Sequence, residues 1–169
     1  MARTQPDVVQ PVTMSVSTRW LRSRGTRSVP KKHDAYFFSH ELSDFDLHLF
    51  GEGRHYGLYQ KFGAHLRVRE GVSGVHFAVW APNAKRVSVV GDFNLWDGRL
   101  NPMRSLGSSG IWELFVPGLT DGDHYKYEVR TQTGHLKLKA DPLAFAAEVP
   151  PKNASVVFRS THEWADQDW

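Results

Sequence analysis

The sequence contains no cysteine, and this absence excludes several kinds of chemistry together. Without thiols, the 169-residue chain can form no disulfide, no cysteine nucleophile and no cysteine-ligated zinc site. It also lacks any run of about 18 apolar residues, so no transmembrane helix is predicted. A (β/α)₈ barrel takes about 250 residues, so a catalytic domain of that kind does not fit within the chain.

The sequence also lacks the common motifs of metal, phosphate and nucleophile sites. The nine histidines form no His-Glu-x-x-His pair, so no metal site is predicted. The turn Gly51-Glu52-Gly53 lacks the strand–loop–helix setting of a phosphate-binding loop. Ser108-Ser109-Gly110 lacks the pattern of a nucleophile elbow. The sequence therefore predicts no catalytic residue, no metal and no cofactor.

Positive charge is concentrated at the N-terminus. The chain carries a net charge of +3, but residues 1–33 carry +6 and the remaining residues carry −3. The mildly acidic body does not favour a nucleic-acid partner. Residues 1–40 are rich in Ser, Thr, Pro and Arg without a sustained hydrophobic period, which predicts a disordered basic tail. A non-native start, a targeting segment and an arm for an anionic partner are all open interpretations of it.

Residues 41–70 are predicted to form a short helical leader. Ser43 and Asp44 offer side-chain oxygens that can cap a helix N-terminus. Apolar residues follow at helical spacing, first at Phe45, Leu49 and Phe50 and then at Tyr56, Tyr59 and Phe62. Gly63 follows the second group in the position of a helix C-cap.

Residues 71–159 have the two-residue period of β-strands. The alternation predicts six short strands, around 75–80, 86–90, 111–116, 124–130, 135–140 and 155–158. In the fourth strand, Tyr125 and Tyr127 share one face and Lys126 lies on the other. The pattern predicts an all-β fold, an immunoglobulin-like antiparallel β-sandwich preceded by the helical leader and the basic tail. The missing cysteine pair argues against a true immunoglobulin domain.

A turn rich in aromatic and polar residues follows the second predicted strand. There Trp96 stands beside Asp97 and two residues after Asn94. A sugar ring presents an apolar C–H face to an indole, while amide and carboxylate groups bind its hydroxyls. Two interpretations are open at this point, because Trp96 either stacks on a sugar or packs beneath its own loop.

Several ordered motifs carry a resemblance to a known family. They are FAVWAPNA at 77–84, VSVVGDFNLWDG at 87–98, GIWELF at 110–115, YKYE at 125–128 and KADP at 139–142. Together they resemble the N-terminal β-sandwich of glycogen branching enzymes, a family-48 carbohydrate-binding module. The upstream segments DLHLFGEG at 46–53 and GAH at 63–65 resemble the region before that module. The resemblance covers roughly residues 41–169.

The resemblance implies an α-glucan partner such as glycogen or a maltooligosaccharide, and a cytoplasmic location. In branching enzymes a family-13 barrel transfers α-1,4-glucan chains to α-1,6 branch points through an Asp nucleophile and a Glu acid/base. No residue of this chain matches those groups. Residues 160–169 resemble the linker that enters the barrel, so the chain is interpreted as a fragment. A separate catalytic barrel is a possible second partner.

The resemblance also implies which residues touch the sugar. Glucan-binding relatives use a Trp in the F-N-x-W turn and a Lys in the Y-K strand, which correspond to Trp96 and Lys126. Asn94 of the same turn completes the candidate site. A second stacking Trp of some relatives has no match, because His135 and Leu136 stand there. Two other functions remain open, a packing module without significant sugar binding and a polyanion binder that acts through the tail.

Overall fold

The computed structural model describes residues 34–163 and 165 as a sandwich of two antiparallel sheets, which confirms the expected all-β, immunoglobulin-like fold. In the first sheet the strands lie in the order β1-β2-β5-β4, with the bounds Gly63–Arg69, Val72–Trp80, Ile111–Pro117 and Arg104–Ser105. In the second the order is β3-β6-β9-β8, with the bounds Ala84–Gly91, His124–Thr131, Ser155–Val156 and Ala146–Ala147. Strand β7, Leu136–Lys139, pairs with β6.

The core between the sheets follows from the alternation in the sequence. Val75 and Phe77 of β2 and Val87 of β3 are fully buried in it, together with Tyr125 of β6. The Phe77 and Tyr125 rings meet edge to face with their centroids 5.0 Å apart. Burying each such side chain contributes about 1.5–3 kcal/mol, so this cluster is the main stabilising element of the sandwich.

A buried carboxylate fixes the segment that follows β7. Asp141 accepts hydrogen bonds through Oδ2 from the hydroxyls of Tyr125 at 2.7 Å and Tyr127 at 3.1 Å. Burial raises the pKa of Asp141 despite these bonds, which lower it. Because the acceptor is held between two core tyrosines, the chain leaves β7 along one defined path.

The leader begins with the expected helix. Helix α1 spans Asp44–Gly51, and Ser43 is its N-cap. The Ser43 hydroxyl accepts from the Asp46 backbone N–H, while the Asp46 carboxylate accepts from the Ser43 N–H, which is a complete capping box. Of the two N-cap candidates in the sequence, Ser43 and Asp44, the structure has Ser43 as the cap and Asp44 as the first residue of the helix.

The second part of the leader does not form the helix that the sequence predicts. Its only helix is a 3₁₀ turn at Leu58–Gln60, and Tyr56 is 90% exposed, so the aromatic spacing of this segment marks no continuous buried helical face. From Gly63 the chain is already strand β1, paired with β2 in the register Gly63↔Ala78 to Arg69↔Val72. The first sheet thus begins at Gly63 and not after residue 70.

The leader and residues 34–40 before it cover the outer face of the first sheet. Phe38 and Leu42 are buried, and the Phe38 ring contacts Phe115 of β5 edge to face at 4.6 Å. Side chains fasten this segment to the sheet: Arg104 donates to the carbonyls of Tyr36 and Phe38. The sandwich therefore extends into residues 34–40, which the sequence assigned to the tail. Residues 1–33, 164 and 166–169 of the expected tail and linker lie outside the described residues.

Within residues 34–163, no helix has the length and apolar character needed to cross a membrane.

Candidate functional site

The turn after β3 has an unusual backbone. A 3₁₀ turn at Asp92–Asn94 is followed by two non-glycine residues at positive φ, Leu95 at 55° and Trp96 at 59°. Each left-handed residue of this kind costs about 1–2 kcal/mol. The turn is closed by a hydrogen bond of 2.9 Å from the Trp96 N–H to the Gly91 carbonyl. The fold thus holds Trp96 in one strained position at the end of β3.

Asn94 supports this turn from within. It is 4% exposed, and its Oδ1 accepts the Gly91 N–H at 3.0 Å. Its Nδ2 donates to the Val89 carbonyl at 3.0 Å and to Asn101 Oδ1 at 2.9 Å. Because the amide is buried and fully engaged, Asn94 braces the turn and does not face a ligand. The expected carbohydrate contact from this residue is therefore corrected to a structural role.

Trp96 and Lys126 lie side by side, as the sequence predicts for two residues of one site. The indole N–H of Trp96 donates to Asp92 Oδ1 at 2.8 Å, and Lys126 Nζ lies 6.0 Å from the centre of the Trp96 ring. Trp96 is partly exposed and belongs to neither cluster of core residues. Trp96 thus lies at the surface and outside the two core clusters, and its contact with sugar stays a prediction.

The two residues line a groove of about 410 Å³. Its other walls come from β7 and from the loop before β9, through Leu138, Glu148, Lys152 and Asn153. Lys126 Nζ donates to Asn153 Oδ1, which ties this loop to β6. Sequence reasoning missed Asn153 because it stands in an irregular proline-rich segment, 27 positions after Lys126.

Leu138 supplies the apolar part of the wall formed by β7. It lies beyond His135 and Leu136, the residues that stand where a second stacking Trp occurs in some relatives. Both of these residues are exposed. The groove therefore has one large aromatic ring, with a leucine on its second apolar surface.

Acidic and basic side chains lie close together in the groove. His124 lies between two carboxylates, with Nδ1 3.7 Å from Asp92 Oδ2 and Nε2 3.6 Å from Glu148 Oε1. The backbone N–H of Ala154 is the main cause of the lowered pKa of Glu148, and the ammonium of Lys152 adds to it. With two carboxylates and two ammonium groups on its walls, the groove suits an uncharged polar ligand.

No metal centre accompanies the groove. In the part of the chain that the structure describes, no group of three or more His, Asp or Glu side chains is arranged to hold a metal ion.

Comparisons with known proteins show which sequences this chain resembles. Residues 61–144 match the family carbohydrate-binding module 48 (isoamylase N-terminal domain). The 1,4-alpha-glucan branching enzyme GlgB of Thermosynechococcus vestitus is 55% identical over 139 residues, which make up 81% of this chain and 18% of that enzyme. The corresponding enzyme of Paramagnetospirillum magneticum is 49% identical over 174 residues, covering 100% of this chain and 23% of the enzyme.

Among solved structures, a Klebsiella pneumoniae pullulanase complexed with maltotriose matches 58% of this chain and 9% of that protein, with 26% identity and a TM-score of 0.46. The chain spans about a fifth of the length of the curated relatives it matches.

Proposed function

Since this chain belongs, through residues 61–144, to the carbohydrate-binding module 48 family, we propose that it binds α-1,4-glucans in the groove beside Trp96. It would serve as the glucan-binding part of a cytoplasmic 1,4-alpha-glucan branching enzyme in glycogen synthesis. About four fifths of each relative lies outside the match, and we assign the transfer of glucan chains to α-1,6 branch points to that part. This chain then contributes binding and not catalysis.

The observation that carries the proposal is the arrangement of Trp96, Lys126 and Asn153 along one groove. The Trp96 indole N–H already donates a hydrogen bond to Asp92. The ring therefore offers a ligand its apolar face and not its N–H group. A glucose ring stacks on that face through its C–H groups. The Lys126 ammonium and the Asn153 amide then lie where they can bind the hydroxyls around the ring.

The decisive experiment is a titration with maltoheptaose. Removing the indole takes away most of the apolar contact, about 1–2 kcal/mol, so Trp96→Ala should weaken binding about five- to thirty-fold. Leu95→Ala is the matched control, because Leu95 is adjacent to Trp96, 87% exposed and outside the groove. Circular dichroism confirms that each variant is folded. Unchanged affinity of a folded Trp96→Ala variant would contradict the proposal.

A second candidate function is a packing module without significant sugar binding. It is supported by large apolar side chains on the surface of the sandwich, such as Trp80 at 54% exposure and Phe145 at 53%. Such exposed rings are typical of surfaces that contact another domain. Co-sedimentation with glycogen in the ultracentrifuge separates the two functions, because a packing module would stay in the supernatant.

A further inference from the structure

A second groove lies on a different part of the sandwich. It has a volume of about 350 Å³ and is lined by Tyr59, Gln60, His65, Arg67 and Phe145. These residues come from the 3₁₀ turn before β1, from β1 itself and from the segment before β8. The groove shares no lining residue with the groove beside Trp96.

Two aromatic side chains on its walls are largely exposed. Tyr59 is 58% exposed and Phe145 is 53% exposed, although they belong to segments far apart in the sequence. The His65 ring lies between β1 and Phe145, with the two ring centroids 5.5 Å apart and the planes inclined by 70°. Exposed rings around an open groove offer a stacking surface of the kind that sugar rings use.

His65 provides a hydrogen-bond acceptor at the floor of this groove. Its Nε2 lies 2.9 Å from the Phe62 carbonyl, and because a carbonyl only accepts, Nε2 carries the proton. Burial is the main cause that lowers the pKa of His65, which favours the neutral form of the ring. With the proton on Nε2, Nδ1 carries the lone pair of a hydrogen-bond acceptor. A ligand hydroxyl is a suitable partner.

The charge of the groove is neutralised. The Arg67 guanidinium donates through Nε to Glu41 Oε1 at 3.1 Å and through an amino group to the Gln60 carbonyl at 3.0 Å. No carboxylate lines the groove. Gln60 Nε2 donates to the Tyr59 hydroxyl at 3.1 Å, which keeps the polar groups of the wall next to the aromatic ring. A cationic ligand would find no carboxylate on these walls, and the Arg67 guanidinium is already paired with Glu41.

We propose that the groove of Tyr59, His65 and Phe145 is a second binding site for an uncharged glucan segment. This inference rests on the proposed function, since it takes the ligand to be the same α-glucan. Exposed rings, a neutral acceptor and paired charges are together the chemistry of a site for a neutral polyhydroxylated ligand. Two sites on one module would let a long glucan bind at both, with the second event made easier by the first.

The test is an NMR titration of the isotope-labelled full chain with maltoheptaose. The His65 and Phe145 ring signals report the second groove, while the Trp96 indole and Lys126 signals report the first. Saturable shifts in both sets are expected. Shifts confined to Trp96 and Lys126 would overturn the second site and leave the proposed function intact. Shifts confined to His65 and Phe145 would support the second site and contradict the first. Absence of both would contradict both.

Paired variants separate stacking from general surface effects. Tyr59→Ala and Phe145→Ala should each weaken the shifts at His65, raising the apparent dissociation constant about five- to thirty-fold. Tyr56→Ala and Phe45→Ala, which remove rings of 90% and 67% exposure outside the groove, should leave that constant unchanged. If His65 signals move on dilution of the protein and not on addition of sugar, the groove is a contact between two copies and the proposal is wrong.

Discussion

The carboxylate of Glu113, in the middle of β5, accepts the backbone N–H of Leu42, which lies 71 positions earlier, at an Oε2···N distance of 3.2 Å. Its other oxygen accepts the Glu41 N–H at 2.9 Å. Glu113 is 2% exposed, and His76 Nε2 lies 3.3 Å from Oε2. One buried side chain thus joins the leader to the first sheet.

Replacing Glu113 should therefore destabilise the leader and the sandwich together. Glu113→Ala leaves two backbone donors and His76 without their buried acceptor, and we expect a loss of about 3–5 kcal/mol in the free energy of unfolding. Urea denaturation followed by tryptophan fluorescence measures it. Glu163→Ala, a change of an exposed carboxylate, is the control. A loss below about 1 kcal/mol in Glu113→Ala would contradict this role.

The helix cap should make stability depend on pH through Asp46. Partial burial by itself raises the pKa of Asp46, but hydrogen bonds from Ser43 and His55 and the charge of Lys61 outweigh it and lower the pKa to about 2. An unfolded Asp titrates near 3.9. The stabilisation is therefore fully present above about pH 5 and is lost as the pH falls towards 2.

The measurement compares wild type with Asp46→Asn. The difference in their unfolding free energies should be largest near pH 6 and should shrink as the pH approaches 2. Asp44→Asn, which alters an exposed carboxylate of the same helical turn, should show a smaller change over this range. A difference that is constant with pH would show that the ionised Asp46 carboxylate does not support the cap.

The buried Asn94 should affect sugar binding without touching the sugar. Asn94→Ala removes three hydrogen bonds inside the turn that holds Trp96. We expect a loss of about 2–3 kcal/mol in stability together with weaker maltoheptaose binding in the folded fraction. The exposed Asn83 provides the control variant, Asn83→Ala. Unchanged affinity for maltoheptaose in a destabilised Asn94→Ala variant would show that the Trp96 ring keeps its position without the hydrogen bonds of Asn94.

The strained turn predicts a stabilising substitution. Leu95 has φ 55° and is 87% exposed, so a glycine there avoids the left-handed penalty and loses little packing. We expect Leu95→Gly to raise the unfolding free energy by about 0.5–1 kcal/mol. Leu100→Gly, at a leucine that is 57% exposed and has no positive φ, should lower it. Equal losses in both variants would contradict the strain argument.

Lys126 should contribute less to sugar binding than Trp96. The half-buried Lys126 ammonium keeps one bond to Asn153, and its other donors exchange hydrogen bonds with water for hydrogen bonds with the ligand, so the net gain is about 0.5–1 kcal/mol. Lys126→Ala should therefore weaken maltoheptaose binding about two- to fivefold. Lys85→Ala, an exposed lysine of β3 outside the groove, is the matched control. A loss larger than that of Trp96→Ala would reverse the assigned roles.

The longer strands were predictable because their side chains alternate. Tyr125 and Tyr127 are buried and Lys126 is not, as the period of two requires. Strand β1 was not predicted, because Tyr56, Tyr59 and Phe62 just before it have the spacing of a helix and the helical leader was extended to residue 70. Strands β4 and β8 have two residues each, too few to show any period.

The site was partly predictable for a similar reason. Motif resemblance named Trp96 and Lys126, and the structure brings them together, although their contact with sugar stays a prediction. A polar residue in a turn is expected to face the ligand. Only the path of the backbone shows that the Asn94 side chain points inward. Asn153 reaches the groove through tertiary folding alone, which no local pattern encodes.

The way in which residues 34–42 are attached has a mechanical consequence. Residues 34–42 are attached to the first sheet by separate bonds from the side chains of Arg69, Arg104 and Glu113, and not by a strand ladder. A pulling force applied at Asp34 would load these bonds one after another. The β1–β2 ladder would stay intact until residues 34–42 had detached from the sheet. Stretching the chain from this end should therefore give an early extension at low force, followed by a single rupture at higher force.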